Sequence, residues 1–542
     1  MNRFLIALAV CAGLYGQTNT AILRGVVTDP AGSNVAAAKV TATNTQTSVA
    51  YAGVTNETGL YQIRDIPAGQ YVVSVEHPGF RRAVRPATQV STGSTVSLDL
   101  KLELGEVTQS VTVSGETALV QSTTSGIDQL IESKSIANIP LGDRRTMNVI
   151  QLSGAAVFTG YDNGQKPNFS LAGGRAQSQM FWIDGASGQN MRLGIGQMDT
   201  DPPVELIDEI KVLSNNYSAE FGGSNGGVII ETTKSGTNQF HGSALEYLRN
   251  DLMDAPGFFA PIVNGEKSKP KLRYNLFGGT IGGPVIKNKT FFFFDYEGSR
   301  RRTGYTSTLT VPSLLQRAGD FSKTTTAAGA LIPIYDPSST APSGNTFVRQ
   351  PFPGNVIPAA AQDPVALKLL GYFPLPNRAA DNATGANNFR GNGANTLTHD
   401  FWSIKGDHNF SSKDRITGRY MFNRDNTNIL SVFPDPGAET ASFNVANQKS
   451  ALGDWIHTIS PTTVNEFRVN IARRVAHALS SGVGGDYPTK IGLKGVSNNA
   501  FPNVTTAGFT ALGSTNQERQ QYPIDQQQFV ENLSHVRGRH SL

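Results

Sequence analysis

The residues Gly222-Gly223-Ser224-Asn225-Gly226 fit the G-x-S-x-G pattern that presents a serine nucleophile. That chemistry needs a strand before the serine, a sharp turn, and a helix after it. Downstream of the serine stands Val228-Ile229-Ile230, a β-branched run without helical period, and no His or acid motif completes a triad. Lys234-Ser235 has the end of a phosphate loop, but Thr233 stands where that loop needs Gly. The histidines at 77, 241, 399, 408, 457, 477, 535 and 540 show neither H-E-x-x-H nor H-x-x-x-H spacing, so they are read as surface or strand residues. The reading is therefore of a non-enzyme without metal or cofactor. The glycines are read as turns and close backbone approaches at a junction between two domains.

The wider composition supports that reading. Only 16 % of the 542 residues are charged and 56 are Gly, which suits many strands joined by polar turns. A net charge of +4 is too weak and too spread for a nucleic-acid partner. Residues 1–16 read as a secretory signal peptide: Arg3, then an apolar run from Phe4 to Leu14, then small residues up to Gly16. Val10 is large where a lipoprotein signal wants a small residue. Cys11 is the only cysteine, so the exported chain has no disulfide. No later segment holds 18 consecutive apolar residues, so a membrane location requires a closed β-barrel.

Residues 17–104 read as a small β-sandwich. Short alternating runs such as AILRGVVTD and QYVVSVEH are separated by turns at Asp29–Gly32, Glu57–Gly59 and Pro67–Gly69. The connector 105–118 carries Val107, Thr108, Val111, Thr112 and Val113. Two readings stay open for it: a last edge strand or linker, or an extended peptide that a partner captures by strand addition. Residues 119–236 mix strands with short helical pieces, including a short helix across Asp143–Leu152 and a glycine break at Gly173-Gly174 between two strands.

After Gly236 the pattern changes. In 401–410, Trp402, Ile404, Gly406, His408 and Phe410 share one face, and Ser403, Lys405, Asp407 and Asn409 the other. A turn at 411–414 leads into a run with Ile416, Gly418, Tyr420 and Phe422 against Arg415, Thr417, Arg419 and Asn423. Residues 451–473 repeat the hairpin pattern about a turn at 460–463. In an outer-membrane barrel the apolar face meets lipid and the polar face the lumen. The Pro-, Ala-, Asn- and Gly-rich stretch of roughly 303–400 is then a long external loop. Phe291–Phe294 is read as strand and interfacial aromatic girdle, and Arg300-Arg301-Arg302 as a solvated strand end.

Two resemblances sharpen this. G-x-V-x-D, TNETGLYQIRDIPAGQYVVSVEHPGF and VSLDLKLEL make 20–104 similar to the carboxypeptidase-regulatory-like domain. That resemblance implies a transthyretin-like or carbohydrate-binding-like sandwich without peptidase activity. Gly174-Arg175, Trp182–Gly185, Ile207–Val212, Phe221-Gly222, Gly226–Ile230 and Thr233-Lys234 resemble, in order, the plug domain of TonB-dependent outer-membrane receptors. HGSALEYLRNDLMDAPGFF and RYNLFGGTIGGPVIKNKTFFFFDYEGSRR resemble the first barrel strands of the Oar-like branch of that family.

The expected fold is thus mainly β: a sandwich, an α+β plug over 119–236, and antiparallel transmembrane barrel strands over 237–542. The resemblance implies a TonB-type energy-transducing partner, with 105–118 as linker and Val107–Val113 as the contacted segment. It also implies contact with outer-membrane lipid and an unidentified ligand, carbohydrate, peptide or metal chelate. The plug motif is carried by Gly173, Gly174, Arg175, Asp184, Gly185, Gly222, Gly226, Gly227 and Lys234. Of these, Arg175 is expected to touch the barrel wall and Asp184 to serve a turn. An exported adhesion protein, binding glycan through the sandwich with the barrel as anchor, is the alternative. A plugged barrel has about 22 strands. The 306 residues after Gly236 supply about half, so the chain is expected to be a fragment or a gene product cut short.

Overall fold

The computed structural model describes residues 20–105, 110–112, 127–139, 141, 144–162, 166–189, 201–217, 221, 225–260, 262–263, 265–438, 442–497, 499–513, 519–537 and 540–541. The signal-peptide reading, Val107, Thr108, Val113, Gly222 and Ser224 lie outside these residues.

The first unit contains β1 (Ala21–Thr28), β2 (Lys39–Asn44), β3 (Ala50–Val54), β4 (Leu60–Ile66), β5 (Gly69–Glu76), β6 (Arg82–Val90), β7 (Thr95–Ser97), β8 (Leu100–Lys101) and β9 (Ser110–Thr112). They form two sheets, β4-β1-β7 with β8 beside β1, and β3-β2-β5-β6-β9. Along β1 every second residue is buried, as a half-covered strand requires. Those residues, Leu23 and Val27 among them, close one core with Val40, Val73, Val75, Tyr61 and Tyr71. β9 joins parallel to β6, with Ser110 beside Arg82 and Thr112 beside Val84. Residues 110–112 therefore occupy the edge-strand position that the sequence left open.

The middle unit holds β10 (Ile127–Glu132), β11 (Ala156–Asp162), β12 (Lys166–Leu171), β13 (Met180–Ile183), β14 (Ala186–Ser187), β15 (Ile207–Asn215) and β16 (Val228–Thr233). One sheet runs β10-β15-β16-β13-β14, and β11 pairs with β12. A helix covers Thr146–Ile150. β16 is central, flanked by antiparallel β15 and parallel β13. This explains its unbroken apolar start, since a strand covered on both faces does not alternate.

The last unit is one long antiparallel sheet: β17 (His241–Asn250), β20 (Leu272–Ile286), β21 (Thr290–Leu309), β24 (Phe389–Asn409), β25 (Asp414–Leu430), β26 (Ser442–Ser460), β27 (Thr463–Ser480), β28 (Arg519–Arg537) and β29 (His540–Ser541). The small hairpins β18 (Ile262–Val263) with β19 (Glu266–Lys267) and β22 (Ala341–Ser343) with β23 (Thr346–Val348) sit in its connections. Connections at 287–289, 410–413 and 461–462 are short. Those at 251–271, 310–388, 431–441 and 481–518 are long. All the short ones fall on the side where the chain enters at His241. Crossing hydrocarbon takes about 9–11 tilted residues. β21 and β24, with 20 and 21 residues, project beyond it.

Three expectations change here. The long loop spans 310–388, because β21 runs on to Leu309 and β24 begins at Phe389. Arg300-Arg301-Arg302 lies inside β21, where Arg300 pairs with Asp400 at 2.7 Å. The run Phe291–Phe294 divides by period 2: Phe291 and Phe293 are buried inward, and only Phe292 and Phe294 point outward. The long connections also hold a core of their own, with Phe389, Phe433, Ile491, Phe501 and Leu512 buried together.

Candidate functional site

The site is the seam between the middle sheet and the inward face of the long sheet. β13 and β14 are joined by Asp184-Gly185, both at positive φ (48° and 74°). A two-residue hairpin needs that conformation, which Asp tolerates and Gly adopts freely. The turn carries the Asp184 carboxylate beyond the sheet toward the wall. β16 runs parallel to β13 in the register Ile183 beside Glu231, so Thr233 ends up next to Asp184. The Thr233 backbone N–H donates to Asp184 at 2.9 Å and its hydroxyl at 2.6 Å.

The wall supplies the counter-charge. Lys405 of β24 and Arg419 of β25 are direct cross-strand partners on the inward face. Like charges so placed repel. Asp184 sits between them: Arg419 Nη1 donates at 2.5 Å and Lys405 Nζ lies 3.5 Å away. Lys405 also donates to the Thr233 carbonyl, and Arg419 to the Ile183 carbonyl, both at 3.1 Å. Burial pushes the Asp184 carboxyl upward, but Lys405, Arg419 and Thr233 outweigh it and hold the carboxyl at about 2.

One strand pair further along, Arg468 of β27 donates from Nη1 to the Gly185 carbonyl at 3.1 Å. Arg468 is fully buried. It pairs with Glu466 and lies 3.6 Å from Asp454. Asn532 donates to Glu466 at 2.7 Å. The seam therefore sets Lys405, Arg419 and Arg468 against Asp184, Glu466 and Asp454. Each of these buried cations thus has an acidic partner, and the fully buried Glu231 of β16 is a further acid within electrostatic reach of Asp184 and Arg419. Any side chain at Gly185 would run into the Arg468 guanidinium.

Smaller contacts extend the seam. The Ser187 N–H donates to Gln528 at 3.0 Å. Arg145 pairs with Asp425 at 3.5 Å, and Asp425 also meets His399 at 2.8 Å. Arg144 pairs with Glu205 and lies 4.9 Å over the Tyr247 ring of β17. Phe293, Phe401 and Met421 of the wall join the apolar core of the middle unit.

The other motif residues have structural places. Gly174 and Gly226 meet back to back: a Cβ on Gly174 would lie 3.2 Å from Gly226 Cα. Gly173 and Gly227 adopt positive φ, 77° and 91°. Lys234 Nζ donates to the Glu205 carbonyl at 2.8 Å. Arg175 is exposed. The charged wall contact expected of Arg175 is made by Asp184 instead, from the turn that Asp184 was expected to serve. The reason is geometric: the hairpin turn projects, whereas Arg175 lies in the glycine break. Sequence alternation did place Lys405 and Arg419 on a charged face. It missed Arg468 as the partner of Gly185, because pairing across 283 residues has no local signal; Glu466 and Asp454 meet Arg468 within one hairpin.

Known proteins match parts of this chain. Residues 232–542, more than half of the chain, match the family model described as outer membrane beta barrel domain. Residues 22–103 match the carboxypeptidase regulatory-like domain. The chain is 28 % identical over 331 residues to the TonB-dependent transporter Oar of Myxococcus xanthus. The match covers 57 % of this chain and 30 % of that relative, so the chain spans well under half of the relative's length. Among solved structures, the outer membrane transporter YddB from Escherichia coli aligns at a TM-score of 0.46 and 11 % identity, over 76 % of this chain and 45 % of that one. The siderophore receptor PirA from Acinetobacter baumannii aligns at 0.39 and 13 %, over 75 % and 45 %. The extent of the family-model match shows that the chain belongs to the outer membrane β-barrel domain family.

Proposed function

We propose that this protein works as a TonB-dependent outer-membrane transporter in which the middle unit is a plug seated in the barrel and released for uptake. The observation that carries this is the buried charge seam around Asp184. A purely structural contact between two apolar surfaces needs no ions. A seam of paired charges is sensitive to the loss of any one partner while closed, and its groups regain solvation when water enters. The outward residues Ile404, Trp455, Ile471 and Phe529 face outer-membrane lipid in this reading. The ligand, carbohydrate, peptide or metal chelate, enters at the long-connection side.

A TonB-type protein acts from the short-turn side on Val107, Thr108, Val111, Thr112 and Val113. Strand addition suits this segment, because β9 lies at the edge of its sheet and has a partner strand on the β6 side only. The periplasmic domain of a TonB-type protein, titrated onto the full chain in detergent micelles, should bind, and deletion of 105–113 should abolish binding. Binding that survives the deletion refutes the contact assignment. Normal ligand uptake by the receptor carrying the same deletion refutes the transport role of the segment.

A further inference from the structure

The sandwich does not hang free of the other two units. Its loop between β6 and β7 is pressed against the middle sheet: Thr92 and Ser94 are buried, and Gly93 takes a positive φ of 60°. The Thr92 N–H donates to the Glu209 carboxylate of β15. The Thr92 hydroxyl meets that of Thr232 in β16 at 2.7 Å. Lys211 Nζ, itself 2.9 Å from Asp128, donates to the Gly93 carbonyl at 3.0 Å. A second contact lies where the chain passes from plug to wall. There Asn238 donates from its backbone to the Gln46 carbonyl at 3.0 Å and from its side chain to the Thr47 carbonyl at 2.8 Å. A third reaches the wall itself, with Arg415 of β25 donating to the Tyr51 hydroxyl at 3.3 Å and the Asp65 carbonyl at 3.4 Å. Between the three contacts lies a cavity of about 320 Å³, lined by Tyr51, Asp184, Asp208, Lys234, Lys405 and Arg415.

We propose that the carboxypeptidase-regulatory-like domain is a latch that holds the plug shut from the short-turn side, with Thr92-Gly93 as its catch on Glu209 and Lys211. Three features support a releasable latch. The contacts are polar, as in interfaces that form and break. They engage β15 and the central strand β16, so the plug sheet cannot rearrange while they hold. The third feature is mechanical: β9 is hydrogen-bonded along Arg82–Val84 of β6, and β6 runs straight into the catch loop at Ser91. Tension on residues 110–112 therefore loads the strand that carries the catch. The use of the latch rests on the plug-gated reading above; its existence does not.

The test is the full chain carrying Thr92→Cys and Thr232→Cys. Outside Cys11 the sequence has no cysteine to compete. Purified in detergent and oxidised, the pair should form a disulfide, read by non-reducing mass spectrometry. Amide hydrogen exchange in 207–215 and 228–233 should then slow by about tenfold or more against the reduced form. Absence of the disulfide, in a protein whose single-cysteine variants fold normally, overturns the docking. A disulfide that leaves exchange in both strands unchanged overturns the latch. A chain that latches in this way but moves no solute refutes the transport reading and leaves the latch standing.

Discussion

Asp184→Asn removes one charge from the seam and keeps its shape. In the native seam the carboxylate separates Lys405 from Arg419, which face each other across two strands. Without it two buried cations are left with a neutral amide. Removing one partner of a buried ion pair costs about 3–5 kcal/mol. The amide oxygen still accepts from Thr233, so the low end applies, about 3 kcal/mol, or roughly a hundredfold in the seating equilibrium. Trp182 is buried two residues from the substitution. Its fluorescence during urea unfolding in micelles reads the seam, in a background of Trp402→Phe and Trp455→Phe, whose rings face outward. The pH dependence gives an independent check. A carboxyl lowered to about 2 contributes stability that is present above its ordinary value near 4 and lost as pH falls through about 2. The difference between native and variant should therefore stay constant from pH 7 to about 4 and disappear near pH 2. A loss under about 1 kcal/mol, the value of an exposed ion pair, would refute the reasoning. So would a difference that already fades at pH 5.

Other substitutions test neighbouring claims. Gly185→Ala combines a positive φ with a clash against Arg468; the φ alone costs about 1–2 kcal/mol, so the same fluorescence assay should show at least that loss. Burial pushes the Glu209 carboxyl up to about 7, with Asp208 also raising it and Thr92 and Lys211 opposing. The stability associated with that raised value is full below the ordinary value and lost as pH rises through about 7, so Glu209→Gln should stabilise the chain more at pH 8 than at pH 5 in urea midpoints. Ile471 faces outward in mid-strand; Ile471→Arg should cost about 2–4 kcal/mol in lipid bilayers, whereas Ile471→Leu should be close to neutral in the same refolding titration.

The local pattern carried much of the architecture. Period-2 alternation located the hairpins about 411–414 and 460–463 and sorted Lys405 and Arg419 onto the charged face, because a strand's two faces are written in its own sequence. The turn glycines at 173–174 and 226–227 were legible for the same reason. β6 was not, since Pro86 and the positive φ of Ala87 interrupt its pattern with a bulge. Nor was the division of Phe291–Phe294, whose four identical rings hide which two meet the plug.

By itself the sequence determined the hairpins about 411–414 and 460–463 and which of their faces is charged, because both depend on neighbours one or two positions away. Only the tertiary structure decided what those charges meet. Asp184 reaches Lys405 and Arg419 across more than 220 residues of chain, and Thr92 reaches Glu209 across 117. Such pairings depend on how three units are brought together, and an isolated carboxylate looks the same in a turn as in a lock.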